Sequence, residues 1–160
     1  MKKWIFAGVL FALSQQASAL CLAPLCSCSV SATPISFAPF DPVPGLSHDA
    51  TGSVTMSCSG VAGLLIPYRV SISSGAGTLT NRKMVNGARN LYYNVYSDSN
   101  HTTVWGDGTT GAPNVSGGIL LNLLGTLNVN LNTYGRITAG QTTLVPGIYT
   151  DTLTVTLTYD

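Results

Sequence analysis

The chain has 160 residues, with seven Lys and Arg against six acidic residues, every one an aspartate. Only 8% of residues are charged and the formal net charge is +1, with no basic run. Partners that need a cationic footprint, nucleic acid or an anionic membrane surface, are therefore excluded. This length suits one domain with a real core.

The N-terminus has three parts. Lys2 and Lys3 precede an apolar run from Trp4 to Leu13, and Ala17-Ser18-Ala19 offers small residues at a cleavage position. That layout predicts a signal peptide over residues 1–19 and a mature domain over 20–160. The run is too short to span a bilayer, so no membrane insertion is expected. Leu20, directly before Cys21, is too bulky for lipid attachment at that cysteine. The mature part keeps five basic residues against six aspartates, a charge near −1. Thr, Ser, Asn, Gly and Val dominate it, while Glu, Lys and Gln are absent or scarce; this is the composition of an all-β exported module.

Four cysteines, Cys21, Cys26, Cys28 and Cys58, predict two disulfides in an oxidising compartment. Three pairings exist. Cys28, Val30 and Ala32 share one face of a first strand; Val54, Met56 and Cys58 share one face of a second. Two inward cysteines on facing strands fit a bridge across a sandwich core, closing a loop of about 30 residues and contributing roughly 3–4 kcal/mol. Cys26 has the parity of Cys28, so 26–58 stays open. A metal centre is the rival, but no histidine lies near these cysteines.

The following segment, ISFAPFDPVPG, is a strand fragment broken by Pro39, Pro42 and Pro44, which confine it to an edge or a crossing between sheets. SVTMSCS is the second clear strand. In the third, Tyr68, Val70 and Ile72 alternate with Arg69, Ser71 and Ser73 until the glycines of SSGAG. Asn81 to Asn90 is a polar excursion, a loop or a short hairpin. In LYYNVYSD, Leu91, Tyr93 and Val95 share one side. VWGDGTTGAPNVSGG is turn-rich, with Asp107-Gly108 a favoured turn pair. In TLNVNLNTYGRI, Leu127, Val129 and Leu131 face inward. The last strand, TLTVTLTY, puts Leu153, Val155, Leu157 and Tyr159 on one face and threonines on the other. Nothing in the sequence after Asp160 supplies it with a further partner, so its edge is expected open or completed by another molecule. Asp151 shares the inward parity and is expected at the rim, since a buried unpaired carboxylate is costly. Six or seven strands spaced by turns predict a single antiparallel sandwich.

The side-chain inventory argues against an enzyme. His48 and His101 lie in loop-like stretches and are expected as surface residues. No G-x-S-x-G elbow appears, and nothing orients a nucleophile. No cofactor is expected. Asp98, Asn100 and Asp107 could offer oxygens to calcium, but they lack the spacing of an EF-hand and suit turns. The sequons at Asn100 and Asn114 are of a kind that arises by chance in an Asn/Thr/Ser-rich chain. Trp105, with Tyr92, Tyr96 and Tyr134, could form a sugar-stacking platform; a free lectin-like module with Trp105 as the carbohydrate contact is the alternative reading.

Five blocks in order, CSVSATPISFAPFDP, TGSVTMSC, LYYNVYSD with VWGDGTTG, YGRITAGQ and VPGIYTDTLTVTLTY, resemble the spore coat protein U domain family, which is shared by subunits of archaic chaperone–usher pili. The resemblance implies an immunoglobulin-like antiparallel sandwich that is incomplete, with one strand missing and supplied by a donor strand. It implies a Cys28–Cys58 disulfide, leaving Cys21 and Cys26 to form a small loop around Pro24. It also implies three kinds of partner: a periplasmic pilus chaperone, an outer-membrane usher and neighbouring pilus subunits on the cell surface, with a role in adhesion or biofilm formation. Val30 and Ala32 on the first strand, with Leu153, Val155 and Leu157 on the last, are the expected flanks of the donor-strand groove. Before Cys28 stands only LCLAPLCS, whose leucines do not keep period 2. This departs from a long donor segment and suits a minor or terminal subunit that receives a strand without giving one.

Overall fold

A computed structural model describes residues 26–37, 46–61, 63–109, 111–121, 125–141 and 143–160. The expected signal peptide, Cys21 and the proline cluster at 39–44 lie outside the described residues. Eight strands are described: β1 (Cys26–Thr33), β2 (His48–Gly60), β3 (Leu65–Ile72), β4 (Arg82–Asn86), β5 (Arg89–Tyr96), β6 (Val115–Leu120), β7 (Gly125–Ile137) and β8 (Val155–Tyr159). They form two antiparallel sheets, β1-β2-β7-β5-β4 and β6-β3-β8, packed as an immunoglobulin-like sandwich. Among the described residues no helix is long and apolar enough to cross a membrane.

Period-2 alternation builds the core from both sheets. Val54, Met56 and Cys58 of β2 and Leu91, Tyr93 and Val95 of β5 meet Ile66, Val70 and Ile72 of β3 and Ile119 of β6, all buried. The opposite parity of β2 and β7 is hydroxyl- and amide-rich, with Thr55 donating to Asn130 Oδ1 at 2.8 Å. Leu127 departs from its expected inward place. It lies near the start of β7, opposite Cys58, and is 41% exposed.

Several elements differ from expectation. Asn81–Asn90 resolves into the β4–β5 hairpin, whose turn uses the positive φ of Gly87 (56°). The turn-rich stretch after Trp105 ends in a strand, β6, whose glycines 117 and 118 lie opposite Tyr68 and Pro67 and hid it from propensity. Residues 34–37 are not a strand. Their side chains cross the five-stranded sheet instead, against β2, β7 and β5, and Gly135 makes the room: a Cβ there would stand 2.7 Å from Phe37 Cζ and 2.8 Å from Ile35 Cγ2.

The disulfide joins Cys28 to Cys58, as the family resemblance implied. It does not bridge the two sheets. β1 and β2 are neighbours in one sheet, and Cys28 stands directly opposite Cys58 in their register. The Cα atoms are 4.1 Å apart, near the ~4.5 Å of a non-hydrogen-bonded antiparallel pair. Cys26 is disulfide-bonded too.

Candidate functional site

Among the described residues four strands lie at sheet edges, β1 and β4 in one sheet and β6 and β8 in the other, and β1 and β8 are the two that come together. β1 is bonded only to β2, and β8 only to β3. β1 and β8 belong to different sheets yet approach each other along one side of the sandwich. Between them lies a cavity of about 450 Å³, lined by Ala32 and Thr33 of β1 and Val155 of β8, and it adjoins a second of about 670 Å³ that runs under the 34–37 crossing to residues 144–149. Their shared wall is Pro34, Ile35, Phe37, Met84 and Tyr149. The floor is core: Val54, Ile72, Leu91, Val95 and Ile137. One mouth is formed by Leu144 to Tyr149, where Ile148 is 84% exposed.

Of the expected flanking residues, Ala32, Leu153 and Val155 line this cleft. Val30 and Leu157 lie farther along the same two strands, half-buried against the core. The ladder of the last strand begins at Val155 rather than Thr152, because β3 ends at Ile72 and offers Thr154 only the Ser73 backbone N–H and hydroxyl. The burial alternation nevertheless runs from Asp151 to Tyr159. The lining from Ile35, Phe37, Leu144 and Tyr149 was missed from the sequence. Its only signal was the apolar character of two segments otherwise marked as proline-broken or as a turn.

The charged groups beside the cleft are satisfied by short bonds. Asp151 sits at the edge of the cleft, as expected from its parity, and accepts from Tyr93 Oη at 2.7 Å and from the backbone N–H of Ala76 (3.0 Å) and Thr152 (2.9 Å). Burial first, and then that bond to Asp151, hold the Tyr93 phenol far above its ordinary range, so it stays a donor. Behind it Arg82 is wholly buried. All five of its N–H groups are bonded: Nε to Ser73 O, Nη1 to Leu79 O and Asn94 Oδ1, and Nη2 to Ile72 O and Trp105 O. Burial lowers its pKa, partly offset by Tyr93, Asp151 and Asp107. This guanidinium ties the end of β3 to β5 and the Trp105 turn, and so fixes one end of the cleft.

The other expected sites are structural. Trp105 is 1% exposed and its Nε1 donates to Val70 O at 2.8 Å. Its ring belongs to the core and offers no face to a sugar. The surface placement of the histidines is likewise corrected. His48 opens β2, half-buried, with its ring 6.5 Å from that of Phe37. The His101 side chain is 7% exposed, packed edge-on to Tyr96 and Tyr134 and 3.8 Å from Asp49 Oδ1. The Asp98 carboxylate is occupied by the backbone N–H groups of Asn100, Thr102 and Thr103, which is turn chemistry.

Comparison with known proteins follows the geometry. No curated protein matches the sequence. Fourteen chains among the solved structures match its structure. One belongs to the crystal structure of the CsuC–CsuE chaperone–tip adhesion subunit pre-assembly complex from the archaic chaperone–usher Csu pili of Acinetobacter baumannii. The TM-score is 0.50 at 21% identity, over 83% of this chain and 39% of that one, so the likeness speaks for the fold and the present chain spans about two fifths of that chain's length. The Spore Coat Protein U domain matches residues 14–156, nearly the whole sequence. The chain therefore belongs to the Spore Coat Protein U domain family.

Proposed function

We propose that this protein is an exported structural subunit of an archaic chaperone–usher pilus, completed by a strand from another molecule. The observation that carries the proposal is the pair of unpaired edges, β1 and β8, flanking a cleft whose floor is the hydrophobic core. An inserted strand would satisfy both backbone edges. It would bury four or five large apolar side chains at about 1.5–3 kcal/mol each before ordering costs. A periplasmic chaperone would fill the cleft first and a neighbouring subunit later, with an outer-membrane usher passing the product to the cell surface. The chaperone–subunit pre-assembly complex among the structural relatives supports a chaperone partner before assembly. The irregular LCLAPLCS lead supports a minor or terminal position, and adhesion or biofilm formation is the role such a subunit serves.

The test is thermal unfolding of the mature chain with a synthetic donor peptide of alternating apolar residues. Melting temperature should rise with peptide concentration as binding to the folded state requires. No change at saturating peptide refutes the open cleft. Val155→Asp, which puts a charge on the cleft wall, should abolish the peptide effect.

A further inference from the structure

We propose that the outer face of the three-stranded sheet carries a second site, separate from the cleft, that binds an uncharged saccharide. A cavity of about 530 Å³ opens where the end of β3, the 74–79 loop, the Asp107 turn and β8 meet. The alternation that turns Leu153 and Val155 toward the core turns Thr154 and Thr156 into this second cavity. Thr156 stands opposite Ser71 in the β3–β8 register. Ser71, Ser74, Thr78 and Asp107 complete its polar lining.

The chemistry of the lining selects the ligand. The hydroxyls of Ser71, Thr78, Thr154 and Thr156 make no hydrogen bond among the described residues, and each can donate and accept. Asp107 accepts the N–H and hydroxyl of Thr109 on Oδ1; Oδ2 makes no hydrogen bond among the described residues. Those Thr109 bonds hold the carboxyl below its ordinary range, so the cavity presents a carboxylate acceptor among convertible hydroxyls. Leu79 on the wall gives an apolar surface for ring C–H groups. Among the described residues no cationic side chain lines the cavity, which leaves an anionic ligand facing Asp107 unbalanced. The field of buried Arg82, which acts on Asp107, opposes a cationic one. A neutral ligand rich in hydroxyls fits what remains.

The site does not depend on the cleft, so its test stands apart from the pilus proposal. Amide NMR titration of the full chain would use D-mannose, D-galactose, N-acetyl-D-glucosamine and, as the charged comparison, N-acetylneuraminate. At least one neutral sugar should shift amides in residues 71–79, near 107 and in 154–156, and N-acetylneuraminate should not. Asp107→Asn keeps an Oδ1 for Thr109, so the fold should melt unchanged while affinity drops about tenfold, the loss of one charge-assisted hydrogen bond. Thr156→Val, isosteric on an exposed strand face, should weaken binding without altering the melt. The proposal is overturned by an absence of shifts with every neutral sugar, by shifts confined to other residues, by equal binding of N-acetylneuraminate, or by full affinity in both variants.

Discussion

Removing the Cys28–Cys58 bridge tests how β1 is held. Among the described residues this strand has one sheet neighbour, β2, and its other edge faces the cleft, so the covalent link supplements a single ladder. The bonded residues are 30 apart in sequence. Closing a loop of that length removes about 12 cal/mol/K from the unfolded chain, or about 3–4 kcal/mol at room temperature. Cys58 is fully buried, so truncating it to alanine adds a packing loss of about 1 kcal/mol. The double variant Cys28→Ala with Cys58→Ala, studied without reductant so that the bond at Cys26 survives, should lose about 4–5 kcal/mol in urea unfolding. The denaturant slope should also increase, because an unlinked unfolded chain exposes more surface. A loss below about 1.5 kcal/mol with an unchanged slope would refute the loop-closure reasoning. It would mean that the β1–β2 ladder alone keeps the cleft wall in place.

Two further outcomes are expected. Arg82→Met should leave the carbonyls of Ile72, Ser73, Leu79 and Trp105 without their donor and cost on the order of 3 kcal/mol or more; a melting temperature within a degree or so of wild type would show those carbonyls find other partners. Asp49 is held below its ordinary 3.8 chiefly by the bidentate hydrogen bond from Arg136, so its contribution is present above that value and lost as pH falls through the lowered one. Asp49→Asn should therefore flatten the acid limb of the stability curve below about pH 4 while changing little at neutrality, and parallel acid limbs in both proteins would contradict the pairing.

Much of the fold was legible because a strand with one dry face writes its parity into the chain. The alternations Val54–Met56–Cys58, Leu91–Tyr93–Val95 and Leu153–Val155–Leu157 each mark an inward face, and those faces are where the apolar side chains pack. The same parity placed Asp151 at a rim. β6 escaped because glycines 117 and 118 carry no side chain to report a face, and the 34–37 crossing escaped because its packing depends on Gly135, a hundred residues away. Of the cleft, the two flanking strands could be named, while the wall from Leu144 to Tyr149 could not.

By itself, then, the order of residues determined the strand class, the inward faces and the candidate partners in the disulfide. Tertiary structure alone decided which strands lie side by side: that Cys28 and Cys58 are neighbours within one sheet, that Arg82 is sealed among carbonyls from three segments, that Trp105 is core, and that β1 and β8 leave facing edges. The physical reason is that periodicity is a local property of extended backbone, fixed by alternating side-chain directions. Adjacency of strands is a long-range choice, settled by which arrangement buries the most apolar surface while pairing the most backbone.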